Sequence, residues 1–208
     1  METVIISALL FGINAGVSPG PLFTIVITET LKNGFSGGVR VAVAPLITDI
    51  PILLLSLYFF SFHFNLEPLT LGAIINLAGG LILLWIGSKD FRTKEYALHV
   101  APGKSELKNS FKKGILTNVT NPSPYIFWIL IFPSAVSGYS TAHIIVFVLL
   151  FLFTVTGIKI IISYLISRHS IDFIQRYLLA IVRGSGIILI LFGINFIAHA
   201  ILYFLKFF

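Results

Sequence analysis

Six long apolar runs, separated by short polar or turn-rich breaks, constrain the fold of this chain more than any other feature. They lie at about 3–28, 38–61, 68–88, 112–136, 142–166 and 176–204. Each run reaches the roughly 20 mostly apolar residues that an α-helix needs to cross a bilayer core. The runs lack the strict apolar and polar alternation of barrel strands. The sequence therefore predicts an all-α integral membrane protein with six transmembrane helices.

The composition agrees with this prediction and limits the chemistry that the chain performs. Of its 208 residues 57% are hydrophobic and 11% are charged, whereas a soluble domain has roughly 45–50% apolar and about 25% charged residues. The N-terminal run has no basic start or cleavage site, so we expect a retained span rather than a signal peptide. Cysteine is absent, which excludes disulfides and thiol redox chemistry. The net charge of +6 is not gathered on a soluble face, and we expect no nucleic-acid partner.

The Lys and Arg residues are concentrated in alternate connections between the predicted helices. Lys32 and Arg40 flank the first connection, Arg168 and Arg176 flank the fifth, and a basic cluster at 89–113 crowds the third. The second and fourth connections have none. By the positive-inside rule the basic connections are cytoplasmic, which leaves both termini outside. We therefore expect a multi-pass protein of the cell membrane that contacts the lipid bilayer.

Two pairs of segments indicate an internal repeat. SPGPLFTIVI at 18–27 matches NPSPYIFWIL at 121–130, and ITDIPILLLSLY at 47–58 matches VTGIKIIISYLI at 155–166. Chance apolar similarity would explain the second match alone, but the paired Pro-x-Pro is harder to explain in that way. The chain thus divides into three-helix repeats at 1–88 and 112–208, joined by a basic connection at 89–111. Because three is odd, the second repeat is inverted, as in many secondary transporters with broken helices.

The two Pro-x-Pro segments predict breaks in helices 1 and 4. Pro19, Pro21, Pro122 and Pro124 each remove a backbone donor and clash with the carbonyl four residues earlier. In hydrocarbon such a break is tolerated only where it faces protein or a water-filled cavity. We therefore expect both breaks to line an interior site, although a simple packing kink is the alternative.

The backbone groups at these breaks predict how a solute would bind. The freed carbonyls include those of Ala15 and Asn118, and with the side chains of Asn14 and Asn118 they would suit a cation or an ammonium group. The new helix N-termini present free N–H groups that attract an anion such as a carboxylate.

Two charged residues inside the predicted spans, Asp49 and Lys159, are candidates for function. Asp49 is near the centre of the second span, and no other acidic residue lies well inside any predicted span. Lys159 falls within two positions of the repeat equivalent of Asp49. Because a charge in the membrane is costly, we interpret Asp49 as a proton carrier or as the partner of a substrate ammonium. The alternatives are an Asp49–Lys159 ion pair that only locks the halves together, or a Lys159 that extends to the membrane surface.

These residues together resemble the LysE/RhtB family of amino-acid exporters. The resemblance rests on SPGP at 18–21, the Asp of APLITDIP in the second span, and GILTNVTNPSPYIFW at 114–128. It implies export of small amino acids or related metabolites, driven by a proton or ion gradient. It also implies that the site residues include Pro19, Gly20, Pro21, Asp49, Asn121 and Pro122. The family's usual Gly-Asp pair is Thr48-Asp49 here, and Lys159 has no match in the family. Because a buried cation of the protein's own would compete with the ammonium group of the solute, we expect a substrate less basic than lysine.

The sequence therefore predicts a secondary transporter that works by alternating access on a small-molecule substrate. An enzyme is disfavoured, since the metalloprotease and serine-hydrolase motifs are absent. The histidines form no ligand-spaced cluster, and we expect no metal and no cofactor. A membrane assembly or scaffold protein that transports nothing is the alternative. A homo-oligomer also stays open, because helix faces that contact lipid and faces that contact a second copy use the same residue types.

Overall fold

A computed structural model describes residues 1–62, 68–93, 106–169 and 171–207 of the chain. Within these ranges all regular secondary structure is helical. The central part of the predicted basic connection, residues 94–105, lies outside them. The elements are α1 Glu2–Val17, α2 Pro21–Ala42, α3 Pro45–Phe62, α4 Pro68–Phe91, α5 Leu107–Thr120, α6 Pro122–Ile126, a π-helical segment Phe127–Ile131, α7 Phe132–Ala135, α8 Thr141–Arg168 and α9 Ile171–Phe207.

Several of these helices have the length and composition of membrane spans. Four stretches of the described chain are long and apolar enough to cross a bilayer, namely Pro21–Tyr58, Ala73–Phe91, Thr141–Arg168 and Val182–Leu205. The helix Glu2–Val17 is apolar but shorter. Large outward side chains such as Leu54, Trp85 and Phe153 are more than half exposed, as the lipid-facing surface of an integral membrane protein requires. The arrangement of six spans in two inverted repeats stays a prediction.

The first helix break falls at the first Pro-x-Pro segment. Helix α1 ends at Val17, and the Ser18 N–H donates to the Asn14 carbonyl at 2.8 Å. Gly20 is extended, and Pro21 is the first residue of α2. Proline is favoured at that position because the first N–H of a helix has no intrahelical partner and proline's fixed φ suits the helix start.

The second break follows the same plan and adds a side-chain cap. Helix α5 ends at Thr120, and the Asn121 N–H donates to the Asn118 carbonyl at 3.2 Å. The Asn121 Oδ1 accepts from the Ser123 N–H at 3.1 Å, and Pro122 begins α6. Because an Asn cap satisfies one of the free donors of a helix start, it stabilises the new helix immediately after the break.

Two turns lie between the first helix break and α3. Gly34 has φ of 70° and ψ of −170° inside α2, a backbone conformation that favours glycine, so the predicted turn in KNGFSGG forms there. The second turn lies near the beginning of the second predicted span, at 38–61. Val43 and Ala44 form a turn between α2 and α3, because Pro45 has no N–H with which to continue the helix.

Helices from the first half of the chain pack against helices from the second half. Helix α4 lies along α9, α1 lies along α8, and α2 contacts both α5 and α8. Glycines allow some of these close approaches. A Cβ atom on Gly186 of α9 would lie 2.7 Å from the carbonyl oxygen of Gly87 on α4, and one on Gly87 would lie 2.6 Å from the carbonyl oxygen of Gly186. The two backbones therefore touch, as small residues permit in membrane helices.

This contact makes a testable prediction about α9. Gly186→Ala would place a methyl group 2.7 Å from both the Gly87 carbonyl oxygen and the Phe91 nitrogen. We expect it to lower the free energy of unfolding by roughly 1–3 kcal/mol, the usual cost of overpacking. Thermal unfolding of the purified protein in detergent would measure the change.

Gly184→Ala is the matched control, because nothing lies within 4 Å of a Cβ atom there. Alanine has the higher helix propensity, so this variant should melt at or slightly above the native temperature. Equal melting temperatures for the two variants would contradict the backbone contact between α4 and α9.

Candidate functional site

The two helix breaks line one cavity of about 400 Å³. It lies between the end of α1, the start of α2, the junction of α5 with α6, and the buried faces of α3, α4 and α8. All ten residues that the sequence singles out line it, and the structure therefore brings the whole predicted set together. They are Asn14, Pro19, Gly20, Pro21, Asp49, Asn118, Asn121, Pro122, Pro124 and Lys159.

Lys159 reaches the end of α1 from α8. Its side chain is buried, with 3% of the residue exposed. Its Nζ donates to the carbonyl of Ala15 at 2.9 Å and to that of Gly16 at 3.1 Å. Pro19 frees the Ala15 carbonyl because it has no N–H to donate four residues later. The cation that occupies these carbonyls is thus the protein's own, held at the negative end of a helix.

Asp49 contacts the other broken helix. It is 5% exposed, and the Nδ2 of Asn118 donates to its Oδ1 at 2.7 Å. The same Nδ2 donates to the Thr48 Oγ1 at 2.6 Å, and the Thr48 hydroxyl donates to the Ala44 carbonyl at 2.9 Å. Since a side-chain amide carries two N–H donors, Asn118 serves both partners and fixes the end of α5 against the start of α3.

The described contacts support neither alternative interpretation of the two charges. No ion pair joins Asp49 to Lys159 among the described residues, because each is held by the opposite helix break. Lys159 does not extend to the membrane surface either, since its ammonium group donates to Ala15 and Gly16 in the interior. The two charges line the same cavity without neutralising each other by contact.

Asn14 lines the cavity and has a buried donor. Its Oδ1 accepts from the Ser18 hydroxyl at 3.4 Å, whereas its Nδ2 is buried without a hydrogen-bond partner in the described structure. A buried N–H without a partner is costly, and such groups are rare unless they serve a ligand or a function. Asn14 is therefore suited to donate to an oxygen atom of a bound molecule.

Asp90 also lines the cavity, and the sequence interpretation missed it. It lies one residue before the end of α4, is 3% exposed, and its Oδ2 accepts from the Ser18 hydroxyl at 3.4 Å. A second buried carboxylate therefore lines the cavity with Asp49, at the end of a span rather than well inside it. The predicted span ended at residue 88, and the available signal was that Asp90 lies two residues beyond the end of this apolar run.

Glu29 is a second buried carboxylate that the sequence interpretation missed. It is 1% exposed and lies on α2. Its Oε1 is 2.6 Å from the Lys113 Nζ, and its Oε2 accepts from the Ser110 hydroxyl at 2.6 Å and from the Asn33 amide at 2.8 Å. This cluster ties α2 to α5 outside the cavity.

Among the described residues no group of three or more His, Asp or Glu could hold a metal ion.

The Lys159 contacts make a testable prediction. Lys159→Met keeps a chain of similar length but leaves the carbonyls of Ala15 and Gly16 without their donor. We expect the free energy of unfolding to fall by roughly 1.5–3 kcal/mol, the usual worth of a hydrogen bond to a charged group. Thermal unfolding in detergent would measure it.

Lys108→Met is the control, because the Lys108 side chain is 77% exposed, pairs with Glu106 at 3.2 Å and does not line the cavity. We expect that change to cost no more than roughly 1 kcal/mol, the usual upper worth of a surface ion pair. Native stability in Lys159→Met would show that the end of α1 does not depend on the ammonium group.

Comparisons with known proteins identify the family of the chain. The chain is 30% identical over 133 residues to the chemotactic transduction protein ChpE of Pseudomonas aeruginosa. The match covers 62% of this chain and 63% of that protein, so the chain spans less than two thirds of the relative's length. No solved structure matches the chain. The LysE type translocator family matches residues 13–200, which include every residue of the candidate site. The resemblance noted in the sequence is confirmed, and the chain belongs to the LysE type translocator family.

Proposed function

We propose that this chain is a secondary transporter that exports amino acids or related small metabolites across the cytoplasmic membrane. A proton or ion gradient drives the export, and the protein works by alternating access. Membership of a translocator family supports this proposal. The observation that carries it is the cavity at the two helix breaks, which all the candidate site residues line.

The cavity has the size and the chemical groups that a small zwitterion needs. Its volume of about 400 Å³ falls within the usual range of small-molecule sites, roughly 300–1,000 Å³. Asp49 would attract the ammonium group of the solute. The carboxylate would bind at the start of α2, where Gly20 provides no side-chain cap and free N–H groups favour an anion. The unpaired Nδ2 of Asn14 supplies one more donor beside it.

The contacts at the two breaks support the inverted repeat. Helix α1 ends against Lys159 of α8, and helix α5 ends against Asp49 of α3. Each broken helix is thus held by a charged residue on the second predicted span of the other half. Two halves at 1–88 and 112–208 that rock against each other would change both contacts together. Alternating access in repeat-built transporters depends on such interfaces.

Asp49 is the residue proposed to couple the gradient to transport. Its carboxylate accepts from the neutral amide of Asn118, and no ion pair joins it to a cation among the described residues. The carboxyl group is therefore free to exchange a proton for the ammonium group of the solute. In the proposed orientation both termini are outside and the basic connections are cytoplasmic, which the Lys and Arg distribution supports.

A membrane assembly or signalling role is the second candidate. The name of one relative links that protein to chemotactic transduction, and a protein of that kind needs no solute path. Such a role predicts helix breaks that are closed to solutes and packed by protein. A cavity lined by buried polar groups at both breaks favours transport over this candidate.

Asp49→Asn tests the coupling role. The amide keeps the shape and the contact with Asn118 but carries no charge and exchanges no proton. In proteoliposomes with an imposed pH gradient, we expect flux of the transported amino acids to fall at least about tenfold, the effect of roughly 1.4 kcal/mol. Labelled amino acids supplied as a panel would measure the flux and identify the substrate class.

Glu106→Gln is the matched control, since Glu106 is an exposed carboxylate before α5, and it should leave flux unchanged. If Asp49→Asn shows the same gradient-driven flux as the native protein, Asp49 does not couple the gradient to transport. If folded native protein moves no member of the panel, amino-acid export fails, and the assembly role becomes the leading candidate.

A further inference from the structure

A second cavity lies at the opposite ends of α1 and α4 from the first. Its volume is about 780 Å³. It is lined by the start of α1, the start of α4, the segment that follows α7 and the last turns of α9. The polar side chains that line it include Thr3, Ser7, Asn76, Ser134, Asn195 and His199. None of the candidate site residues lines it, so this space is separate from the site described above.

One aromatic ring lines both cavities. Phe11 is 3% exposed and contributes to the wall of each. Its ring stacks on that of Phe192, with centroids 4.3 Å apart, and meets the edge of Phe127 at 5.9 Å. Phe192 lines the second cavity and Phe127 lines the first. These three rings therefore form a partition between the two spaces, and we refer to them as the aromatic partition.

The backbone is irregular where the partition meets the broken helix. The π-helical segment begins at Phe127, whose carbonyl accepts from the Phe132 N–H five residues later. The ring of Phe127 in turn stacks on Phe151 of α8, with centroids 4.2 Å apart and an interplanar angle of 6°. Such segments are rare and are often found at functional sites. The irregular turn thus coincides with one wall of the partition.

The two cavities differ in charge. Asp49, Asp90, Lys89 and Lys159 line the first. Among the described residues that line the second, none is Asp, Glu, Lys or Arg. The hydroxyl group of Ser134, which lines the second cavity, is buried without a hydrogen-bond partner in the described structure. Neutral hydroxyl and amide groups would bind a polar solute weakly. Weak binding suits a transport path, because each site on it must release the solute as well as bind it.

We propose that the second cavity is a vestibule of the solute path, and that Phe11, Phe127 and Phe192 form the gate between it and the central cavity. The vestibule takes the same class of solute, a small zwitterion, through hydroxyl and amide groups. This inference rests on the proposed transport function. It adds a second binding space, and it identifies the residues that close the path at the end where α1 begins.

Cysteine accessibility tests the gate without measuring transport. The native chain has no cysteine, so each introduced thiol reports alone. In sealed vesicles treated with a membrane-impermeant thiol reagent, Asn195→Cys in the vestibule should react from one face of the membrane. Asn14→Cys in the central cavity should react slowly from that same face. Adding Phe11→Ala to Asn14→Cys should raise its rate from that face at least about tenfold.

A second variant and a control keep this test independent of misfolding. Phe192→Ala removes the stacked partner of Phe11 and should have the same effect in the Asn14→Cys background. Phe153→Ala removes a ring from the outward face of α8, where the side chain is largely exposed, and should leave the rate unchanged. Gel filtration of each variant in detergent checks that it is folded.

The outcomes separate the gate from the transport function. An Asn195→Cys thiol that reacts from neither face overturns the vestibule. If neither Phe11→Ala nor Phe192→Ala changes the labelling rate of Asn14→Cys, the proposed gate is contradicted, even if the native protein transports amino acids. If Asn195→Cys and Asn14→Cys react as expected but no amino acid moves in proteoliposomes, the vestibule and the gate are supported and the proposed substrate class is contradicted.

Discussion

The structure depends on hydrogen-bond partners for the backbone groups at two helix breaks, because these groups lie in the membrane interior, where little water is present to bond them. An unpaired carbonyl in a membrane interior costs several kcal/mol, and each Pro-x-Pro segment prevents the usual helical partner from donating. At the end of α1 the ammonium group of Lys159 donates to the carbonyls of Ala15 and Gly16. The interior cation and the broken helix thus compensate for each other, and removing either leaves the other in an unfavourable environment.

This pairing determines what remains available for a solute. Because Lys159 donates to backbone carbonyls, it does not neutralise Asp49 by contact, and the carboxylate is held by the neutral amide of Asn118 instead. The expectation of a substrate less basic than lysine rested on a lysine that competes for Asp49. The ammonium group and the carboxylate have partners at opposite helix breaks, and that expectation stays a prediction. The cavity therefore presents an acidic group and unpaired donors such as the Asn14 amide.

Much of the candidate site could be predicted from the sequence because proline acts locally. A Pro-x-Pro in an apolar run breaks a helix wherever the chain folds, and the membrane then requires an interior location for the break. The burial of Asp90 and Glu29 could not be predicted in the same way, since hydropathy alone treats a carboxylate near the end of a run as exposed. Asp90 is buried because Gly186 of α9 packs against it, with a Cβ at that glycine only 3.1 Å from the Asp90 Cβ. The aromatic partition likewise depends on tertiary contacts.

Two contacts of different chemistry join helices that line the central cavity. Glu29 and Lys113 join α2 to α5 through an ion pair supported by Ser110. The stacked rings of Phe11 on α1 and Phe192 on α9 separate the central cavity from the vestibule. Water that enters between the helices weakens an ion pair by screening it, whereas stacked rings separate only when their apolar surface becomes exposed to water. The ion pair would therefore yield to hydration from the side of the basic connection. The rings need a movement of α1 and α9, the helices that carry them, and in the proposed transport cycle the two halves would supply it.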